Sequence, residues 1–247
     1  ITGGIGALGL QVAQYLTTHG ASHLILTGRS GVSTDDQRTA LHALENAGVK
    51  IEVFAADVSK PEDVTQLLAQ TSNLRGVVHA AGILDDGMLM HQSPKRFLKV
   101  AGPKVSGAWN LHIQTKDLPL DFFVLFSSVA SIIGSPGQSN YAAANAFMDG
   151  LAHHRKHQGL VATSINWGPW SDVGMAASDV VLQRLMKDGW QPMNASQGCD
   201  FIGHLLKVCK LPQAAVLPVD WRQFAVSIPG AVNWNILSHL VSKEQSN

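Results

Sequence analysis

A chain of 247 residues has the length of one α/β domain with room for a sizeable buried core. Its eighteen basic and eighteen acidic side chains cancel, so no overall field recommends a nucleic acid or an anionic membrane as partner. The two cysteines, Cys199 and Cys209, have neither metal-ligand spacing nor the density of a disulfide scaffold, so buried packing is their expected role and no metal is expected.

Ile1-Thr2-Gly3-Gly4 reads as the last residues of a strand already running into its turn, and the chain is therefore expected to be part of a longer polypeptide. Beyond it, short runs rich in Val, Ile, Leu and Phe alternate with longer amphipathic stretches, the pattern of β-α-β units and a parallel sheet. Strands are predicted at His23 to Thr27, Val49 to Ala55, Gly76 to Ala80, Phe122 to Ser127, Val161 to Asn166 and Ala215 to Val219. Helices are predicted at Gln11 to Thr18, Asp35 to Ala47, Pro61 to Ala69 and Asn140 to Gln158. Pro61 suits a first helical position, and Asn140 or Ser139 a cap. The expected fold class is α/β, a doubly wound parallel sheet of about seven strands with helices on both faces. A single domain over 1–247 is predicted, with a polar tail at 241–247 that frays. No run of apolar residues is long enough to span a bilayer and no signal-peptide core follows the N-terminus, so a cytoplasmic, reducing compartment is expected.

Gly4-Ile5-Gly6-Ala7-Leu8-Gly9 follows a strand end, with Thr2 and Gly3 just before it, and opens a helix. In that context the first glycine allows a tight turn, the second lets a pyrophosphate approach the backbone, and the third lets helix and strand pack closely. At the end of the next strand, Thr27-Gly28-Arg29-Ser30 carries a cation where an NAD-selective site has an acid. Arg29 can pair with a 2′-phosphate, so NADPH is the expected cofactor, with Ser30 beside it. Asp57-Val58 at the following strand end would bound the adenine. Ala80, Ala81 and Gly82, after a His79 read as structural, are small enough for backbone to pass close to a cofactor.

Phe122 to Ser128 switches from apolar to hydroxyl side chains at its C-terminal end, where ligands bind in open parallel sheets. Thirteen residues on, Tyr141 and Asn145 share one face of a helix. A serine hydroxyl, a phenol and an amide around one carbonyl point to carbonyl reduction, while a packed aromatic with a polar neighbour is the bland alternative. A tyrosine titrates near pH ~10 and usually needs a neighbouring cation to act as an acid, yet no lysine stands four residues after Tyr141.

With these residues in hand, the chain resembles the ketoreductase domains of modular polyketide synthases. They are a branch of the short-chain dehydrogenase/reductase superfamily, with a Rossmann-like fold, that animal fatty acid synthase shares. In that branch the lysine and asparagine exchange positions, and Lys104 in Lys104-Val105-Ser106-Gly107-Ala108-Trp109-Asn110-Leu111-His112 matches the relocated lysine. Leu84-Asp85-Asp86 and Asn166-Trp167-Gly168-Pro169-Trp170 match as well. The resemblance runs from Thr2 to about Asp220.

The resemblance implies a catalytic set of Ser128, Tyr141, Lys104 and Asn145. In it Tyr141 donates the proton, Lys104 orients the nicotinamide ribose and lowers the tyrosine pKa, and Asn145 holds a water of the relay. Lys104 and Tyr141 then also count among the cofactor contacts. It implies a β-ketoacyl thioester on an acyl carrier protein as substrate, and an N-terminal structural subdomain in the same polypeptide. The domain itself is expected to be monomeric. Leu84-Asp85-Asp86 resembles the B-type signature. Ile133 stands where an A-type tryptophan would be, and Ala143 where epimerising members have proline, so a D-hydroxyl product without epimerisation is expected. Trp167, Gly168, Pro169 and Met175 are further substrate-orienting candidates, and about 171–195 reads as a small helical lid. His153 to His157 is a candidate surface for an acidic carrier, although consecutive residues fan around a helix and a plain solvated face is the stronger reading. A fatty acid synthase domain, a free-standing carbonyl reductase or a silent NADPH-binding module are the alternatives.

Overall fold

The structure, a computed structural model, describes residues 1–172, 179–208, 211–228 and 230–241. Chain order runs α1 (Ala7–Thr18), β1 (His23–Gly28), α2 (Asp35–Asn46), β2 (Lys50–Ala55), α3 (Pro61–Ala69), β3 (Gly76–His79) and α4 (Pro94–Ala101). A π-helical turn at Gly102–Ser106 joins α4 to α5 (Gly107–Thr115). Then come β4 (Phe122–Ser128), α6 (Ala130–Ile133), α7 (Ser139–His157), β5 (Thr163–Trp167), α8 (Asp179–Lys187), α9 (Ala195–Val208), β6 (Gln213–Val216) and α10 (Trp221–Ser227).

Every strand pairing is parallel, β1 with β2 on one side and β3-β4-β5-β6 on the other. Thr2 joins the two halves. It bridges both Thr27 and His79, with Thr2 N donating to Val78 O at 2.9 Å and Ala80 N donating to Thr2 O at 3.1 Å. The expected seventh strand is thus a bridge at Thr2 between β1 and β3, the place where the strand order reverses. Ligands bind outside the strand ends at such a reversal.

Local chemistry sets the element ends. Thr34 and Gln37 form a reciprocal capping box at α2, and Pro61 opens α3 at its first turn. Ser93 caps α4 and Asp220 caps α10. The proposed cap of α7 is corrected. Gln138 holds the N-cap position without a side-chain hydrogen bond, Ser139 is already helical, and so is Asn140, whose Oδ1 accepts from Tyr141 N at 2.8 Å. β6 lies earlier than predicted, because Gln213–Val216 pairs with β5 while Val219 bridges Trp190 antiparallel instead.

Two apolar layers flank the sheet. Val12 of α1 and Ile202 of α9 pack with Val124, Phe126 and Ile165 on one side. Val64 of α3, Leu111 of α5 and Met148 of α7 pack with Phe123 and Leu125 on the other. β4 alternates its contacts between these layers and is buried on both, which is why it reads as a continuous apolar run. Its central place in the sheet fixes the position of Ser128.

Candidate active site

The turn after Thr2 is shaped by glycine. Gly3 has φ +65°, and a Cβ there would stand 2.9 Å from Ala80 C and Ala81 N, so no side chain fits. The tight turn therefore falls at Gly3, one residue before the predicted Gly4. Two adjacent glycines satisfy the same motif, and Gly4 is instead enclosed by Ile1 O, 2.7 Å from a would-be Cβ. At Gly9 a Cβ would stand 2.6 Å from Gly4 Cα, which is the close helix packing that the sequence predicts. Gly6 and Ala7 are exposed at the start of α1, whose N-cap has no side-chain partner, so the helix N-terminus is open to an anion. Ile5 is buried and Leu8 packs against the core. Both offer a ligand backbone rather than side chain.

Beside this turn lies a cavity of about 120 Å³ walled by Gly3, Thr27, Arg29, Asp57, Val58 and Gly82, among others. Thr27 Oγ1 in its wall is buried without a hydrogen-bond partner. Arg29 and Ser30 are exposed at the end of β1, and among the described residues Arg29 makes no ion pair. Asp57 Oδ1 accepts from Ser59 N at 3.0 Å and Ser59 Oγ at 2.7 Å. Burial opposes ionisation of Asp57, but those hydrogen bonds and the nearby Arg29 and Lys60 outweigh it, and the carboxyl sits below its ordinary value. Ala80 and Ala81 are half-buried where β3 ends. His79 is fully buried, its Nδ1 2.7 Å from Thr2 Oγ1; burial pushes it down to about 3, so it stays neutral. A bared glycine turn, an orphaned hydroxyl and an unpaired guanidinium fit a phosphorylated dinucleotide.

The π-helical turn delivers Lys104 into the core from the far side of this cavity. It is 4% exposed and donates to Asn145 Oδ1 at 2.9 Å and to Phe126 O at 3.0 Å. Its Nζ lies 5.1 Å from the Tyr141 ring centroid. Burial lowers Lys104 to about 7, with Asp149 acting in the opposite direction. Asn145 Nδ2 donates to Tyr141 O at 2.8 Å, so its side chain is locked between helix and lysine. The structure therefore brings together Lys104, Tyr141, Asn145 and Ser128 from three segments. One expectation is reversed. Burial holds the Tyr141 phenol above its ordinary value, although hydrogen bonding to Asn145 and Ser128 pulls it down.

The Leu84-Asp85-Asp86 loop is anchored rather than free. Asp85 takes Arg96 Nε at 2.8 Å and Lys99 Nζ at 3.0 Å, both from α4, and these two cations hold its carboxyl below the ordinary value. Asn140 Nδ2 donates to Asp85 O at 2.8 Å, and Gln138 Nε2 to Asp86 Oδ2 at 2.9 Å. The loop is thus fastened to the start of the helix that carries Tyr141, and Leu84 packs in the Tyr141 cluster. Trp167 departs from its expected place. It is a core residue, 5.4 Å from Phe126 and 5.0 Å from Trp170 between ring centroids, and Gly168 is buried with it, leaving only Pro169 partly exposed. Met175 and Cys209 lie outside the described residues, as does 173–178 of the expected lid. Cys199 is buried, its thiol pushed up to about 11 by burial.

Sequence reasoning missed a second layer. Asp149, four residues after Asn145, is a buried carboxylate on the same helical face. That spacing was the available signal. The His153 to His157 surface is broken up, because Arg155 is 1% exposed and stacks 3.9 Å from the Phe123 ring, while His153 pairs with Gln213. A wider cavity of about 340 Å³ near His153 and Gln213 lies away from Lys104 and Tyr141. Among the described residues no group of three or more His, Cys, Asp or Glu is disposed to hold a metal, and no helix is long and apolar enough to cross a membrane.

A doubly wound sheet, a bared glycine turn and a lysine–tyrosine–serine–asparagine group define an oxidoreductase of the short-chain dehydrogenase/reductase type, a class that binds nicotinamide cofactors. The family described as KR domain matches residues 1–172, and the chain belongs to that family, the ketoreductase domains of polyketide synthases. Polyketide synthase GfsA of Streptomyces halstedii is 41% identical over 97% of this chain and 3% of its own length. A phenolphthiocerol synthesis polyketide synthase type I of Mycobacterium marinum is 42% identical over 84% of this chain and 10% of its own length. The chain thus spans a small part of these relatives. A solved structure described as A-type ketoreductases from modular polyketide synthase aligns with TM-score 0.86 at 37% identity, over 90% of this chain and 48% of that one. The first ketoreductase of the tylosin synthase aligns with TM-score 0.82 at 37% identity, over 90% and 49%.

Proposed function

We propose that this chain is a single catalytic domain of a cytoplasmic polyketide synthase. It reduces a β-ketoacyl thioester on an acyl carrier protein to the D-β-hydroxyacyl thioester, with NADPH and without epimerisation. The observation that carries this reading is the meeting of Lys104, Asn145 and Tyr141 with Ser128 beside the cavity edged by Arg29. The bound nucleotide supplies the hydride. Arg29 would hold its 2′-phosphate, the Gly3 turn and the first turn of α1 its pyrophosphate, and Ala80 to Gly82 would leave room for it beside the strand end.

Ser128 Oγ and the Tyr141 hydroxyl donate to the ketone oxygen and fix it. As charge develops there, Tyr141 gives up its phenolic proton. Lys104 offers a positive charge beneath the tyrosine ring and a donor for the ribose hydroxyls. Asn145 holds Lys104 through Oδ1 and a relay water. Desolvation around Tyr141 keeps the phenol protonated until that transfer. The anchored Leu84 to Asp86 loop fixes the side from which the acyl chain arrives, which supports the D configuration. A structural subdomain preceding this one in the same polypeptide and the carrier protein are the partners.

Loss of NADPH absorbance on addition of a β-ketoacyl thioester, followed by chiral analysis of the product, tests the reading. Absence of turnover with both carrier-bound and free thioesters refutes catalysis. An L-hydroxyl product refutes the stereochemical part alone. Equal turnover of both thioesters refutes the carrier.

A further inference from the structure

Behind the catalytic group sits a carboxylate that the reaction above does not use. Asp149 is 8% exposed and, among the described residues, has no ion-pair partner within reach. Its Oδ2 accepts from Ser131 Oγ at 2.6 Å and Asn166 Nδ2 at 2.9 Å, and its Oδ1 from Ser164 Oγ at 2.6 Å. One side chain on α7 thereby ties α6 to β5.

The ties lead to the site. Asn166 Nδ2 lies 3.1 Å from Ser127 Oγ and 3.3 Å from Ser128 O, and Ser127 Oγ donates to Asn145 O at 3.3 Å. Ser131 Oγ also lies 2.8 Å from Ser128 O, which competes with Asp149 Oδ2 for its one proton. The backbone of Ser128 and of Asn145 is therefore held from behind by groups that converge on Asp149. Lys104, in turn, touches only neutral acceptors, Asn145 Oδ1 and Phe126 O. Asp149 stands one helical turn beyond Asn145, the residue Lys104 bonds, on α7; the other titratable groups beside Lys104 are Tyr141 and the neutral His79. Of these only Asp149 carries a negative charge.

We propose that Asp149 is a positioning residue of this ketoreductase: it fixes the backbone of Ser128 and Asn145 and serves as the buried counter-charge of Lys104. The proposal rests on the catalytic reading above, but its charge half is measurable without turnover. Two charges held apart in a protein interior couple by an amount that moves a titration by about one pH unit.

The experiment follows the Lys104 Cε resonance through a pH titration in protein labelled with ¹³C-lysine, alongside kcat and KM for a β-ketoacyl thioester against pH. In Asp149→Asn the Lys104 midpoint falls by about one unit and the alkaline limb of kcat moves with it. In Ser131→Ala combined with Ser164→Ala the midpoint stays and kcat falls several-fold with KM for NADPH little changed. An unmoved Lys104 midpoint in a folded Asp149→Asn protein overturns the counter-charge role. Unchanged kcat in the double serine variant overturns the positioning role, and decides alone if Asp149→Asn does not fold. Loss of turnover by the parent chain with its lysine titration intact would refute the catalytic reading and leave the counter-charge standing.

Discussion

Lys104→Met removes a buried charge while keeping most of the aliphatic stem, and its effect on stability depends on pH in a calculable way. Burial takes Lys104 from 10.5 to about 7. Below about pH 7 both folded and unfolded chains hold the proton, and the folded state bears the whole cost of an ammonium in the core. The difference, 10.5 minus about 7, corresponds to ~5 kcal/mol at ~1.4 kcal/mol per unit. Between these two values the unfolded chain binds more protons than the folded one, so stability rises with pH and the cost is gone above the upper value. From about pH 6 to 9 this rise amounts to about 3 kcal/mol, two units' worth. The substitution also leaves Asn145 Oδ1 and Phe126 O without their donor, at about 1–3 kcal/mol each, a loss that does not vary with pH. Urea unfolding of both proteins at a series of pH values separates the two effects. The parent gains stability relative to the variant as pH rises. Parallel pH profiles would refute the assignment of a desolvated lysine at this place.

Tyr141→Phe removes the proton donor and lowers kcat by ~10²-fold or more with nucleotide affinity retained, read from NADPH oxidation; wild-type turnover sinks the role. Arg29→Ala weakens NADPH about 10- to 100-fold, the worth of one charge-assisted contact, and leaves NADH unchanged in a fluorescence titration. Equal losses for both nucleotides would place the guanidinium away from the 2′-phosphate. Gly9→Ala pushes a methyl into the Gly3 and Gly4 backbone, lowering stability by about 1–3 kcal/mol in a thermal melt and nucleotide affinity with it. An unaltered melt would mean that the turn has slack the packing does not show.

The fold was legible wherever one local signal dominated. Pro61 opened its helix, β4 showed its double burial as an unbroken apolar run, and Tyr141 and Asn145 declared a shared helical face. Elements whose ends depend on partners far along the chain were harder. β6 is set by pairing with β5, so its bounds were misplaced, and α4 and α5, which run on through the π-helical turn, were not named. In the site, residue types were readable and their electrostatics were not. The sign of the Tyr141 shift depends on how thoroughly the phenol is desolvated, which spacing cannot report. Trp167 looked like a contact for substrate because it follows a strand end, but Phe126 and Trp170 draw it into the core. Asp85 and Asp86 read as a marker, and only their pairing with Arg96, Lys99, Gln138 and Asn140 shows what holds them.

The π-helical turn that bears Lys104 lets one long helical run keep two separate angular indices. Each residue of an ordinary helix advances the side-chain direction by about 100°, and a π turn accommodates one residue more than its length should hold. Upstream, Val100 of α4 is seated with Tyr141 and Ala144; downstream, Ala108 and Leu111 of α5 are seated with Phe123 and Met148. The spare residue absorbs the phase difference between those two seats, and Lys104 sits inside it. Adding or removing a single residue between Gly102 and Ser106 would therefore turn one of the two flanking helices out of its seat, and the lysine with it.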